Sequence, residues 1–314
     1  MITENPSSEK EVSKFKGLAR KVIEHHFGTR PARISFKASG LTNFVFAVKH
    51  HDGDFVVRIS PEAASINLFI KEQWAQNAAR EAGVPTAEIL EVGSSIIPFP
   101  YMVTRHVEGT NGLKHDKRNE IVREMGRFAA MINGIRTKGF GATFDWSSNK
   151  LSRNETWKDY LRNEYRWREK LAVLEKHRIV DAKQARTLRS TFNAAEKMKA
   201  RSVLNHGDIR LKNVIADEEG KITALIDWEN ATANSAPHWE LSLALHDLGI
   251  DEKQHFVEAY GLTPKKFAEA APLIKAFNVL NYSPEAERLA AEKDTTAIAR
   301  FRLRMTGIFD LYSL

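Results

Sequence analysis

The chain has 314 residues, a formal net charge of +7 and no cysteine, which excludes disulfides and cysteine-based metal sites. Its length suits two domains or two lobes sharing a cleft, and no apolar run approaches the ~20 residues that a membrane-spanning helix needs. The 47 Lys and Arg are spread along the chain rather than massed in one block, so a solvated basic surface is expected rather than a nucleic-acid partner.

Met1 to Glu9 carries neither the basic nor the apolar region of a signal peptide, and a cytoplasmic location with no membrane partner is expected. From Glu11 to Phe27, apolar residues at 12, 15, 18, 19, 22, 23 and 27 fall at helical spacing. The period then changes to two. Ile34, Phe36 and Ala38 alternate, Phe44, Phe46 and Val48 alternate, and Phe55 to Ile59 follows the tight-turn signal His51-Asp52-Gly53-Asp54. These predict three strands. Between the first two lie Ser39, Gly40, Leu41, Thr42 and Asn43. That stretch reads either as a plain hairpin turn or as one whose short side chains and free N–H groups let a phosphate approach the backbone.

Arg58 sits inside the third strand. It is either an edge arginine reaching solvent or a phosphate-facing cation needing a carboxylate to orient it. Ser65 to Ala82 is predicted helical, and Glu72 is its best-placed carboxylate; Glu81 lies at the helix end beside the breaker Gly83-Val84-Pro85. Ala87–Val92 and Tyr101–Val107 complete a predicted five-stranded antiparallel sheet. From Lys117 the pattern turns helical. Trp157, Tyr160, Leu161, Tyr165, Trp167 and Leu171 mark one long helix whose aromatics are expected in the core, and Ala182 to Ala200 marks another.

The chemistry gathers at His206-Gly207-Asp208, Asn213 and Ile226-Asp227-Trp228-Glu229. Two apolar runs, Asn213–Ala216 and Ile222–Ile226, flank Asp217 to Lys221 and predict a hairpin. Antiparallel pairing brings Asn213 and Asp227 to one end of it, near Asp208. Three oxygen-bearing side chains at one mouth make a site for a hard cation such as Mg2+ on substrate phosphates.

His-Gly-Asp-x-x-x-x-Asn followed by Ile-Asp-Trp-Glu resembles the catalytic core of the aminoglycoside phosphotransferase and choline kinase superfamily. The resemblance implies an α+β, protein-kinase-like, two-lobe fold. Residues 1–107 would form the nucleotide-binding lobe and 108–314 a mostly helical lobe with the catalytic loop and acceptor site. It implies a kinase that moves the γ-phosphate of ATP or GTP, with Mg2+, to a hydroxyl of an aminoglycoside-like antibiotic or another small metabolite. Choline, an amino alcohol or a sugar is an alternative acceptor. The alternative class is a non-catalytic nucleotide-binding regulator, which the presence of Asp208, Asn213 and Asp227 disfavours. A monomer or homodimer is expected.

The same resemblance distributes roles. Asp208 would orient the acceptor hydroxyl and take its proton, with His206 bracing the loop. Asn213 and Asp227 would hold the metal. Ser39, Gly40, Thr42 and Asn43 would form the nucleotide-positioning loop, Arg58 would grip phosphates with Glu72 orienting it, and the backbone from Arg105 to Val107 would meet the adenine edge. Arg210, two residues after Asp208, would stabilise transferred charge unless it serves only the surface. Lys212 is expected to be solvated. Glu229 either helps the metal or caps its loop. Glu240, in Pro237-His-Trp-Glu-Leu-Ser, stands where the family has an acid that bonds the catalytic loop. His246-Asp247 lacks a third ligand at matching spacing and reads as a helix-surface pair. Asp247, Asp251 and Glu252 stand where a cationic substrate would sit, or are simply solvated.

Overall fold

A computed structural model describes residues 9–37, 43–142 and 154–310. The amphipathic helix α1 (Glu9–Phe27) buries Phe15, Ala19, Val22 and Ile23. That face covers an antiparallel sheet of β1 (Arg33–Lys37), β2 (Phe44–His50), β3 (Gly53–Ile59), β4 (Ile89–Gly93) and β5 (Tyr101–Arg105). The spatial order is β1-β2-β3-β5-β4. β3 is therefore central, and Arg58 lies between Val45 of β2 and Met102 of β5. The arginine is not at a sheet edge.

Helix α2 (Ile66–Glu81) crosses between β3 and β4. It buries Lys71, Glu72, Ala75, Gln76 and Ala79, the last four being one helical face. Glu72 turns to the sheet, while Ala75 and Ala79 join the core of the helical lobe beside Leu225 and Trp228. The amide of Leu225 also donates to the Pro85 carbonyl at 2.9 Å. This one helix thus packs its apolar face into the helical lobe's core and gives its buried carboxylate to the sheet.

The second lobe begins with β6 (Thr110–Asn111) and α3 (Arg118–Ile132). The predicted long aromatic helix is broken. A short turn α4 (Trp157–Asp159) runs into a π-helical turn over Tyr160–Glu164, Arg166 takes a left-handed φ of 57°, and α5 (Trp167–Lys176) follows in a new direction. The bend lets Trp157, Tyr160, Tyr165 and Trp167 all enter one core with Phe192 and Phe277; a straight helix would spread them over several faces. Their expected core role holds. Helix α6 (Ala182–Ala195) ends earlier than its expected limit at residue 200.

The catalytic stretch lies on β7 (Val203–Asn205), β8 (Val214–Ala216) and β9 (Ile222–Leu225), followed by β10 (Thr232–Asn234). β8 and β9 pair as the predicted hairpin, although Asn213 closes a 3-10 turn before β8 rather than starting the strand. Helices α7 (His238–Ala244), α8 (Ile250–Tyr260), α9 (Pro264–Leu280), α10 (Ser283–Ala291) and α11 (Thr295–Asp310) complete the lobe. No helix among the described residues is long and apolar enough to cross a membrane.

Glu196 ties the bend to α6. Its carboxylate accepts from the Trp167 indole at 2.9 Å, from Arg168 at 2.8 Å and from Arg162 at 2.6 Å. Burial works to raise its pKa, but these donors hold it down at about 2. The sign follows: the folded pKa lies below the unfolded one, so this stability is complete above about pH 4.5 and is lost as pH falls toward about 2. Discounted for solvent screening, Glu196→Gln should cost about 1–2 kcal/mol at pH 7 and should flatten the acid limb of a melting-temperature profile between pH 4.5 and 2.

Candidate active site

The catalytic loop leaves β7 at His206. Gly207 has a φ of 77°, and a Cβ there would collide with the Asn230 carbonyl oxygen; glycine is required on both counts. His206 is fully buried with its ring 4.4 Å from that of Trp228. Burial lowers its pKa to about 4 despite nearby Asp208, so at neutral pH the ring is uncharged and packs as a brace.

The backbone of this loop is held by Glu240 from α7. Its carboxylate accepts the His206 amide at 2.6 Å and the Gly207 amide at 3.2 Å. The longer acid therefore does reach the loop. Glu240 has no exposed surface, and burial pushes its pKa up to about 7 against the pull of these amides.

Asp208 is 6% exposed and is surrounded by donors. Arg210 Nε bonds Oδ1, Lys212 Nζ lies 2.8 Å from Oδ2, and Asn213 Nδ2 donates to Oδ2 at 2.9 Å and to the Asp208 carbonyl at 2.8 Å. Burial alone would raise the Asp208 pKa, but the two cations outweigh it and the net shift is downward. Lys212 is exposed, as expected, and is in addition an ion-pair partner of the central carboxylate. The signal was its place four residues after Asp208, which the 3-10 turn folds back on the loop. Arg210 also reaches Asp247 at 3.1 Å, and so bridges two carboxylates.

The Ile226 amide donates to the Asn213 carbonyl at 3.0 Å, which sets Asn213 and Asp227 at the same end of the hairpin. Asp227 has a φ of 66° and a ψ of 62°. A left-handed aspartate costs about 1–3 kcal/mol, a strain typical of functional sites. With the Asn213 amide nitrogen engaged by Asp208, its Oδ1 is the atom suited to a cation. The donor set, an amide oxygen and carboxylate oxygens, fits a hard divalent ion such as Mg2+.

Across the cleft, Arg58 donates to Glu72 through NH1 at 2.7 Å and NH2 at 3.2 Å. The Arg58 side chain is 17% exposed. Burial pulls its pKa down, but Glu72, Asp227 and Glu229 outweigh that and raise it. The guanidinium thus feels Asp227 and Glu229 of the other lobe. Glu229 is itself pushed up by burial and by Asp227 and Glu72. A second tie, absent from the sequence reading, is Lys71: 3% exposed, it donates to the Glu229 carbonyl at 2.6 Å.

Ser39, Gly40 and Thr42 lie outside the described residues, and Asn43 is half-buried just before β2. At the expected hinge, the Arg105 amide donates to the Glu88 carbonyl and the His106 amide to the Asp54 carbonyl, each at 2.8 Å. The Arg105 side chain turns to Glu88 at 2.9 Å. Those two N–H groups are committed within the protein, and Val107 follows in the connection to β6.

Beside Asp208 and Arg210 opens a cavity of about 250 Å³, lined further by Ser242, Leu243, His246, Asn278, Asn281 and Tyr282. His246 hydrogen-bonds the Tyr282 hydroxyl through Nδ1 at 3.0 Å. His246 and Asp247 are exposed, as expected, on the turn just after α7 rather than on the helix, and one lines the cavity while the other holds Arg210. Among the described residues, the single group of three potential metal ligands is His50, His51 and Asp52, on the β2–β3 turn far along the chain from this site.

An antiparallel sheet with its arginine–glutamate pair, set over a loop with a caged aspartate and a hairpin that ends in Asn213 and Asp227, is the arrangement of a kinase-like phosphotransferase. The chain belongs to the Phosphotransferase enzyme family, whose match spans residues 33–273. It is 25% identical over 174 residues to hygromycin-B 4-O-kinase of Escherichia coli, a match that spans 52% of this chain and 48% of that protein. The chain thus covers about half the length of this curated relative. Its fold is similar to that of a thermostable mutant of aminoglycoside phosphotransferase APH(4)-Ia in ternary complex with ADP and hygromycin B, with a TM-score of 0.67 at 19% identity over 94% of this chain and 99% of that one. It is also similar to the macrolide 2'-phosphotransferase MphH of Brachybacterium faecium, with a TM-score of 0.57 at 17% identity over 94% and 98% of the two chains.

Glu240→Ala would leave the His206 and Gly207 amides buried without an acceptor, at about 1–3 kcal/mol each, and should lower both melting temperature and turnover. Because the folded Glu240 pKa lies above the unfolded one, its contribution is present below about pH 4.5 and is lost as pH rises through about 7. Glu240→Gln should remove that part of the decline, read as a flatter melting-temperature profile between pH 4.5 and 7.

Proposed function

We propose that this chain transfers the γ-phosphoryl group of ATP or GTP to a hydroxyl of a small molecule. The observation that carries the reading is the meeting of Asp208, Asn213 and Asp227 at one end of the β8–β9 hairpin, opposite the Arg58–Glu72 pair. Residues 1–107 hold the nucleotide and 108–314 the acceptor. The enzyme works as a monomer or homodimer in the cytoplasm, without a nucleic-acid or membrane partner.

Arg58, oriented by Glu72, grips phosphate oxygens with its planar fork. Ser39, Gly40, Thr42 and Asn43 are the residues assigned to the phosphates. The adenine or guanine edge meets the chain at Arg105 to Val107, through carbonyls and Val107 because the Arg105 and His106 amides are committed. Asn213 and Asp227 are the residues that would hold Mg2+, which when bound would offset the charge of the phosphates.

The acceptor hydroxyl enters from the cavity and is oriented by Asp208. Its oxygen attacks the γ-phosphorus, the bond to the nucleoside diphosphate breaks, and the hydroxyl proton passes to the Asp208 carboxylate. With its pKa held down by Arg210 and Lys212, this carboxylate is a weak base. That is sufficient in a loose transition state, where the acceptor oxygen becomes acidic late. Arg210 and Lys212 put positive charge where the transferring group gains negative charge. Acceptors considered on family grounds are an aminoglycoside-like antibiotic, an amino alcohol such as choline, a sugar, or another small metabolite.

A nucleotide-consumption screen with hydroxyl compounds tests the reading. Asp208→Ala should lose at least ~100-fold in turnover while retaining its melting temperature within a few degrees; unchanged turnover in a folded variant would refute the role. Asp227→Asn should instead raise the Mg2+ concentration needed for half-maximal nucleotide binding, and an unaltered Mg2+ dependence would remove Asp227 from the metal site.

A further inference from the structure

Two asparagines one helical turn apart line the acceptor cavity at the end of α9. Asn278 is 4% exposed. Its Nδ2 donates to the Ser242 carbonyl at 2.7 Å, which assigns the amide, and its Oδ1 is buried with no partner among the described residues. Asn281 is the converse. Its Oδ1 accepts from the Tyr165 hydroxyl at 3.0 Å, and its Nδ2 is buried with no partner among them. The described residues that line the cavity therefore include one unmet acceptor and one unmet donor. A buried amide atom is costly unless it is hydrogen-bonded. A hydroxyl group, which both donates and accepts, can serve either.

The charge around this wall points the same way. Among the described lining residues the one carboxylate is Asp208, already matched by Arg210 and Lys212. Asp247, which could have received a cationic substrate, is occupied by Arg210. Arg304 stands over the outer ring of Tyr282 at 5.2 Å, and both Arg304 and Lys253 act electrostatically on His246 together with Arg210. A polycation brought here meets like charge and finds no unpaired carboxylate among the described lining residues. The volume of about 250 Å³ also falls below the ~300–1,000 Å³ common for drug-sized ligands.

Resting on the kinase reading above, we propose that the acceptor is a small uncharged polyhydroxy compound, a sugar or polyol, and that Asn278 and Asn281 are its specificity-determining residues. One hydroxyl faces Asp208 and is phosphorylated; others bond the free Asn278 oxygen and Asn281 nitrogen.

The test measures acceptor-dependent nucleotide consumption with neutral sugars and polyols against polyamine-bearing aminoglycosides, for wild type, Asn281→Ser and the isosteric Asn278→Asp, with melting temperatures confirming folding. Wild type should use at least one neutral compound with a higher kcat/KM than any aminoglycoside. Asn281→Ser should raise KM for it by tenfold or more with a smaller change in kcat, and Asn278→Asp should shift preference toward amine-bearing acceptors. Better use of an aminoglycoside by wild type, wild-type KM in both variants, or no response to any neutral compound would overturn the proposal. The kinase reading fails separately. Mg2+-dependent nucleotide binding depends on Asp227 but not on the two asparagines, so its absence in wild type would refute that reading itself.

Discussion

The catalytic loop is held by one buried carboxylate. Glu240 accepts the amides of His206 and Gly207, and everything that faces the cleft from the helical lobe hangs from that anchor. Gly207 must turn with a positive φ against the Asn230 carbonyl, which leaves its amide facing inward. An inward amide needs an acceptor, and β7 has already ended. A carboxylate can take both N–H groups at once, whereas a neutral side chain offers a poorer match. The cost is a buried acid with a raised pKa. It is tolerated because the same α7 turn brings Ser242 and Leu243 to the acceptor cavity, so one helix fixes the loop and shapes the site.

The two lobes are joined by a second economy of the same kind. Adjacent residues of α2 serve opposite walls of the cleft: Glu72 orients Arg58 on the sheet, and Lys71 bonds the Glu229 carbonyl two residues after Asp227. Ala75 and Ala79, a turn and two turns beyond Glu72, bury themselves in the helical lobe's core. Movement of α2 therefore changes the phosphate-facing arginine and the loop after Asp227 together. A lysine is expensive to bury, and burial does lower its pKa, but its partner is a fixed carbonyl next to the acids Glu72 and Glu229. Geometry at the two ends of the nucleotide site is thus linked through a short stretch of one helix.

What was legible in the chain was what local chemistry dictates. The Gly207 turn, the spacing from Asp208 to Asn213 and the return of Asp227 by a short hairpin all follow from neighbouring residues. Arg58 and Glu72 were readable because a strand and the next helix carry complementary charge at positions that face each other. The bend at Arg166 was not readable, since no Gly or Pro marks it; the demand that four aromatics share one core imposes it from outside. Lys71 was hidden because its partner is a backbone carbonyl 158 residues away, and carbonyls have no sequence signature. The asparagines of α9 were hidden for a related reason: they sit in a mostly buried helix, and only the partners of each amide atom show which atom is left over.

The cage around Asp208 shapes how an acceptor engages it. Oδ2 is shared by Lys212 and Asn213, whereas Oδ1 is held, among the described residues, by Arg210. An incoming hydroxyl therefore competes with Arg210 rather than with the two residues that tie Asp208 to its own loop. Arg210 has a second carboxylate in Asp247, so loosening its hold on Oδ1 does not strand the guanidinium. In the proposed transfer, as Asp208 takes the proton its negative charge falls while charge on the phosphoryl oxygens grows, and the favourable field of Arg210 shifts from one to the other without a large displacement. On that reading, a two-carboxylate seat for this arginine keeps the base ionised before reaction and leaves positive charge beside the transferring group during it.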